Sequence, residues 1–216
     1  MMTKLNSHQI TTLFTKNIVL SAAVTFYFIL MSPLLSAAEN EKVQLCIACH
    51  SKDTKNVGFA YPDLTGNKPE YIIKQLKDYQ SGKRESLFMG PISTQIAEKD
   101  FESIANYFSE KPRIPDDVTD PELGKQGEHI FTKGFPGRMD ACTKCHGNEG
   151  EGTSKYPRLN GQHPQYVVQE LKNFKSGKRS NDANEEMRKI ARQLSESDMQ
   201  AVAHYLASLK EEMLEE

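Results

Sequence analysis

The chain has 216 residues, and its 27 lysines and arginines against 29 acidic side chains give a net charge of −2 with neutral histidines. A charge this close to zero excludes a protein that binds nucleic acid through a strongly basic surface. The four cysteines all lie in two short motifs, described below, so none is spare for a disulfide.

The N-terminal segment has the features of an export signal. A polar stretch with two lysines precedes an apolar run over residues 18–31, and Ser36-Ala37-Ala38 is a typical cleavage site. Pro33 interrupts the apolar region, which is short for a membrane span of about 20 residues. We predict a signal peptide over residues 1–38, which leaves 178 residues and a net charge of −4. An uncleaved membrane anchor is the alternative.

Two Cys-x-x-Cys-His motifs use all four cysteines: Cys46-Ile-Ala-Cys49-His50 and Cys142-Thr-Lys-Cys145-His146. This spacing is the attachment signature of c-type haem, in which two thiols form thioethers with the porphyrin and the next His ligates the iron. A single copy is also compatible with a zinc knuckle or a redox dithiol, but two copies with similar downstream sequences favour haem. We therefore predict two covalent haem c groups, with His50 and His146 as iron ligands. Because c-type haem is attached outside the bacterial cytoplasm, this prediction agrees with export to the periplasm.

An internal repeat follows each motif at a constant offset of 95 residues. From Tyr61 to Arg84, 12 of 24 residues are identical to those from Tyr156 to Arg179. A period this long indicates two tandem domains and not a solenoid. Three prolines between the copies indicate a short, stiff connector. The predicted organisation is a first domain over residues 39–111, a linker over 112–120 and a second domain over 121–216.

The predicted secondary structure is helical, with no convincing alternating strand pattern. Pro69 and Pro164 suit the first turn of a helix in each copy, and Gly82 and Gly177 are predicted to end these helices. Further helices are predicted over Glu98 to Ser109, over Pro121 to Lys133, and after the N-cap Ser195.

Met89 and Met187 are the predicted sixth ligands of the two irons. Both precede the last helix of their domain by the same number of residues, and three additional residues of the second copy lie within residues 180–186. Each Met is predicted to lie in a loop opposite its His, where a thioether stabilises Fe(II) and raises the reduction potential. Other residues could also be sixth ligands. Met199 is predicted to be a core residue instead, and His129, His163 and His204 are predicted to be surface residues.

The prolines and leucines of the two Tyr-Pro-x-Leu-x-Gly segments are further candidates for the sites. Pro62 and Pro157 could be ordinary loop prolines. The alternative is that each carbonyl accepts a hydrogen bond from the Nδ1–H of the neighbouring ligating His and so selects its tautomer. Leu64 and Leu159 are then expected to pack against the haem edge.

Together these motifs resemble the cytochrome c4 family, which are periplasmic dihaem cytochromes of bacteria. The resemblance implies an all-α fold of two tandem class I cytochrome c domains, each wrapped around a covalent haem with His and Met as axial ligands. It also implies an electron carrier, not an enzyme, that passes electrons from the quinol-oxidising part of respiration toward a terminal oxidase. A peripheral association with the membrane is compatible with this function.

Two other functions remain open at this point. The chain could be the cytochrome subunit of a larger oxidoreductase, such as a flavocytochrome c sulfide dehydrogenase, and a large exposed apolar patch on one domain would support this. It could also be a dihaem enzyme such as a peroxidase, which needs an open or displaceable sixth position on one iron. The matched pair of Met89 and Met187 argues against the peroxidase.

Overall fold

The computed structural model describes residues 43–50, 61–112 and 120–209. The predicted signal peptide lies outside the described residues, as do residues 113–119 of the predicted linker. The chain divides into two compact units, residues 1–45 and residues 46–216. Both repeats belong to the second unit, whereas only residues 43–45 of the first unit are described, and these are helical.

Helices account for the regular structure of the described residues, which confirms the all-α class. They are α1 (residues 43–50), α2 (Pro69–Gln80), α3 (Met89–Thr94), α4 (Phe101–Ser109), α5 (Pro121–Lys133), α6 (Thr143–His146), α7 (Pro164–Ser176), α8 (Glu186–Gln193) and α9 (Glu196–Ser208). An isolated β-bridge joins Phe135 and Met139. Among the helices of the described ranges, none is long and apolar enough to cross a membrane.

The first repeat, residues 61–112, packs α2 against both α3 and α4. Pro69 occupies the first turn of α2, where its missing N–H leaves no helical bond unmade. The apolar stripe of α2 and the buried face of α4 form its core, which contains Ile72, Leu76, Phe101, Ile104 and Phe108. The helix predicted from Glu98 begins as a 3₁₀ turn and becomes α-helical at Phe101.

The second repeat, residues 120–209, is built around the crossing of α5 and α9. Gly127 is buried at this crossing and lets the two backbones approach closely. The core beside it contains Ile130, Phe131, Leu171, Met199 and Leu206. Met199 has no exposed surface, which confirms its prediction as a core residue.

The predicted helix ends of the second repeat are present. Asp120 caps α5 by accepting bonds from two backbone N–H groups. Gly177 adopts the left-handed conformation after α7, with φ +79°. Ser195 and Asp198 form a capping box at the start of α9, in which each side chain bonds the backbone of the other.

The two repeats contact each other through pairs of residues that the 95-residue offset relates. The backbone N–H of Asp63 donates to Oε1 of Gln162 at 2.9 Å. In the matching bond, the backbone N–H of Arg158 donates to Oδ1 of Asn67 at 3.1 Å. Because each bond joins the same two repeat positions in opposite directions, the contact has approximate twofold symmetry.

Candidate haem-binding sites

Each predicted iron-ligating His lies in the same helical segment as its two cysteines. Cys46, Cys49 and His50 lie within the helical residues 43–50, and His146 is the last residue of α6, for which Cys142 is the N-cap. Helical positions i, i+3 and i+4 share a face, so each set of Cys, Cys and His lies on one side of its helix. Both imidazoles are buried, with 7% and 4% of their surfaces exposed.

The predicted hydrogen bonds to the proline carbonyls are present. Nδ1 of His50 lies 2.9 Å from the carbonyl oxygen of Pro62, and Nδ1 of His146 lies 2.9 Å from that of Pro157. Burial lowers the pKa of both imidazoles, although the bond to the carbonyl opposes the shift. A neutral ring with its proton on Nδ1 leaves Nε2 free to ligate a metal.

The donor set fits a covalent haem. Nε2 of His146 is buried and has no hydrogen-bond partner among the described residues, which is costly unless a ligand occupies that position. All four thiols are free of disulfides and partly buried. Burial is the main cause that raises the pKa of Cys142, to about 11, and the neighbouring Cys145 adds to it. The Cys142 thiol, which also packs against the buried cluster of the second repeat, therefore lies in an apolar setting that suits the edge of a porphyrin.

The structure places Met89 and Met187 differently from the predicted loops. Met89 is the first residue of α3, and Met187 is the second residue of α8. Loop segments do precede both, and residues 180–186, which contain the three additional residues of the second copy, include the 3₁₀ turn Ala183–Glu185. The prediction of a loop at the Met itself is thus wrong, because each polypeptide resumes a helix there.

The second repeat brings several predicted residues to one core. Met187, Leu159 and Cys142 all pack against the buried cluster of that repeat. Leu64 of the first repeat is half-buried, like Leu159. The backbone N–H of Met89 donates to Oγ of Ser86 at 3.1 Å, which holds the start of α3. The roles of these residues toward haem stay predictions.

Two tyrosines contact the buried histidines and were not predicted as site residues. The ring of Tyr61 lies edge-on to His50, with centroids 6.2 Å apart, and the ring of Tyr156 lies 5.8 Å from that of His146. The Tyr156 hydroxyl donates to Oε2 of Glu186 at 3.1 Å, and this bond is the main cause that raises the pKa of Tyr156 to about 12. Tyrosine occupies this position in both copies of the repeat, and that identity is the sequence signal that could have indicated a role in the sites.

The rival histidines have different surroundings. His129 is exposed, as predicted. His204 is partly buried, and its Nε2 accepts a bond from the backbone N–H of Asp120 at 3.2 Å. The prediction that His163 is a surface residue is wrong, because only 6% of it is exposed. It precedes α7 and follows Gln162, whose side-chain Oε1 accepts from the backbone N–H of Asp63 in the other repeat.

Comparison with known proteins identifies the family. Residues 125–210 match the family model described as cytochrome c. The chain is 35% identical to cytochrome c4 of Thiocapsa roseopersicina over 179 residues, which cover 81% of this chain and 92% of that protein. The chain belongs to the cytochrome c4 family. It is also similar to the crystal structure of reduced recombinant cytochrome c4 from Pseudomonas stutzeri, with a TM-score of 0.73, 34% identity and coverage of 81% and 98%.

A further relative of the chain has a more specific name. The chain is 29% identical to the "thiosulfate dehydrogenase electron acceptor" of Stutzerimonas stutzeri over 203 residues, which cover 84% of this chain and 91% of that protein. Family membership establishes a dihaem electron-transfer protein with two covalent haem c groups and two cytochrome c domains. The family consists of electron-transfer proteins and not enzymes, so the peroxidase hypothesis is wrong.

Proposed function

We propose that this protein is a periplasmic carrier that takes electrons from the quinol-oxidising part of respiration and delivers them to a terminal oxidase. The observation that carries the proposal is the matched pair of sites. Each repeat combines a buried His bonded to a proline carbonyl with a Met at the start of a short helix. We assign His50 with Met89, and His146 with Met187, as the axial ligands.

The residues of this chain perform three tasks in such a carrier. The bound haem supplies a reversible one-electron change at iron. The cysteines Cys46, Cys49, Cys142 and Cys145 hold the porphyrins covalently. The proline carbonyls keep each imidazole in one orientation through its Nδ1–H, so that the ligand does not reorganise when the electron arrives. Leu64 and Leu159 exclude water from the edge of each site.

Two axial ligands from the protein leave no position for a substrate. A Met thioether also stabilises the ferrous state and raises the reduction potential, which suits delivery to an oxidase. The optical spectrum of the purified protein tests the ligands, because a weak far-red charge-transfer band reports Met bound to ferric iron. A band intensity that corresponds to two such haems supports the assignment. A band intensity that corresponds to one haem or to none contradicts it.

The proposed location and domain limits have a separate test. We propose cleavage before Glu39, domains over residues 39–111 and 121–216, and a linker over residues 112–120. Mass spectrometry of the protein from a periplasmic extract will find the 178-residue chain plus two haems if the signal peptide is removed. A mass that retains residues 1–38 in the membrane fraction supports the anchor instead.

A second candidate function is that of an electron acceptor for a dehydrogenase of sulfur compounds. The exposed large apolar side chains of the first repeat are clustered next to Met89: Leu87, Phe88 and Ile92 are 91%, 49% and 43% exposed. A patch of this kind is typical of a protein contact. The similarity to a thiosulfate dehydrogenase electron acceptor supports the same function.

Reduction kinetics distinguish the two candidates. The ferric protein is mixed with thiosulfate dehydrogenase and thiosulfate, and separately with quinol and a quinol-oxidising membrane fraction. Fast reduction only in the first mixture, slowed by Leu87→Gln, favours the acceptor function. The charged Lys189 is also exposed, on the second repeat, so Lys189→Gln is the control substitution. Fast reduction only in the second mixture supports the respiratory carrier.

A further inference from the structure

Six side chains meet where the two repeats face each other, and we name them the arginine cluster. They form three pairs that the 95-residue offset relates: Tyr71 with Tyr166, Gln75 with Glu170, and Arg84 with Arg179. The two arginines are 7% and 8% exposed, so both guanidinium groups are withdrawn from water. Buried charges of this kind are costly unless they are paired and hydrogen-bonded.

Arg84 of the first repeat bonds to residues of both repeats. Within its own repeat, Nη1 donates to Oε1 of Gln75 at 2.8 Å. Across the contact, Nη2 donates to the hydroxyl of Tyr166 at 3.0 Å and to Oε2 of Glu170 at 2.7 Å. Two of its three partners in the cluster therefore belong to the other repeat.

Arg179 of the second repeat makes the equivalent bonds, with the roles of the two repeats exchanged. Within its own repeat, Nη1 donates to Oε2 of Glu170 at 2.5 Å. Across the contact, Nη2 donates to the hydroxyl of Tyr71 at 3.1 Å and to Oε1 of Gln75 at 3.3 Å. The two arginines thus exchange partners around the approximate twofold axis.

The symmetry is broken at one pair of positions. Gln75 is neutral, whereas Glu170 carries a charge, so one carboxylate oxygen serves both arginines. Burial raises the pKa of Glu170, but the attraction of Arg179 and Arg84 outweighs this, and its pKa lies below the ordinary value. The other nearby carboxylate, Asp78, is engaged by Lys74 and by Nδ2 of Asn181.

We propose that Glu170 is the positioning residue that holds the two haem domains in one relative orientation, and that electron exchange between the haems depends on it. Glu170 itself transfers nothing. One electron passes from the ferrous iron of one domain to the ferric iron of the other, and no proton moves. The rate falls steeply as the distance between the domains grows or varies, so a residue that fixes their orientation controls it. The electron-exchange part of this proposal rests on the proposed ligation of both irons.

The test uses the mature holoprotein and three variants. Glu170→Gln removes the shared carboxylate with almost no change of shape. The exchange variant, Gln75→Glu with Glu170→Gln, moves the carboxylate to the equivalent position, where Oε1 of residue 75 already contacts both arginines. Glu196→Gln removes a carboxylate of the same repeat that is 80% exposed and serves as the control for net charge.

Small-angle X-ray scattering and the rate of electron exchange after partial photoreduction are measured for each protein. Hydrogen bonds to charged groups contribute enough that losing this pairing lowers the equilibrium constant for docking of the two domains by on the order of tenfold. Glu170→Gln should therefore increase the radius of gyration and slow the exchange by up to about tenfold. The exchange variant should recover most of each value. The control should match the original protein.

The outcomes separate the two parts of the proposal. If Glu170→Gln keeps the scattering curve and exchange rate of the original protein, the positioning role is wrong. If Glu170→Gln does not fold but the exchange variant does, a carboxylate shared by the two arginines is confirmed as necessary. If neither variant folds, the proposal that a carboxylate at either position is sufficient is wrong. If only one haem has a Met ligand, the proposed function fails, but the scattering comparison still decides the positioning role.

Discussion

The crossing of α5 and α9 permits a sharp test with two glycines of the same helix. A Cβ at Gly127 would lie 2.1 Å from the backbone oxygen of Ala201 and 2.7 Å from Cβ of Tyr205. Gly124, one turn earlier, has no such neighbour within 4 Å. Gly127→Ala must therefore move the helices apart by about 1 Å, whereas Gly124→Ala can be accommodated without movement.

Two opposing contributions determine how much each substitution changes the free energy of unfolding. Alanine in a helix interior is more favourable than glycine by roughly 0.5–1 kcal/mol, because glycine loses more backbone entropy on folding. Overpacking costs about 1–3 kcal/mol, and the upper value applies here because a backbone oxygen cannot rotate away. The free energy of unfolding should fall by about 2 kcal/mol in Gly127→Ala and rise by roughly 0.5–1 kcal/mol in Gly124→Ala.

Urea unfolding followed by far-ultraviolet circular dichroism measures both variants against the original protein. In thermal unfolding, a loss of about 2 kcal/mol corresponds to a decrease in Tm of roughly 4–8 °C for a protein of this size. If the urea midpoint of Gly127→Ala is equal to or above that of Gly124→Ala, the claim that α5 and α9 need a glycine at position 127 for their close backbone contact is refuted.

Four further outcomes are expected. Met187→Ala should lower the reduction potential of the second haem and leave that of the first near its original value, which a redox titration measures. Met199→Ala should lower the free energy of unfolding by about 2–5 kcal/mol without changing the iron ligands, which urea unfolding and the same titration measure. Ser195→Ala should cost about 1 kcal/mol of unfolding free energy, because it removes the cap of α9. The depressed pKa of Glu170 means that its pairing stabilises the fold fully above its unfolded pKa of about 4.3 and is lost as pH falls through the folded pKa. Acid titrations should therefore show a weaker loss of stability in Glu170→Gln, and an unchanged acid transition would contradict the pairing.

Short-range signals were read correctly from the sequence. Pro69 begins α2, Gly177 follows α7 and Ser195 caps α9, and each depends on backbone groups within a few residues. The hydrogen bond from His50 to the carbonyl of Pro62 spans only 12 residues. It was predictable because a ligating imidazole needs an acceptor for its second nitrogen, and the same Tyr-Pro-x-Leu-x-Gly pattern follows both motifs.

Other features could not be read from neighbouring residues. His163 occupies a helix start that resembles a surface position, but only 6% of it is exposed in the folded protein. Met89 and Met187 lie in the first turns of α3 and α8, and these helices pack on α2 and α7, which a local loop prediction cannot anticipate. The contact of Tyr156 with His146 likewise depends on how the polypeptide folds back over the Cys-x-x-Cys-His turn.

The sequence by itself determined the covalent chemistry, the duplication and most helix limits, because motif spacing and capping are local properties of the polypeptide. Only the tertiary structure decided which charges meet between the two repeats. Arg84 and Glu170 are 86 residues apart and pair across the contact at 2.7 Å. Nothing in the sequence near either residue encodes that pairing, because it arises from the approximate twofold packing of one repeat against the other.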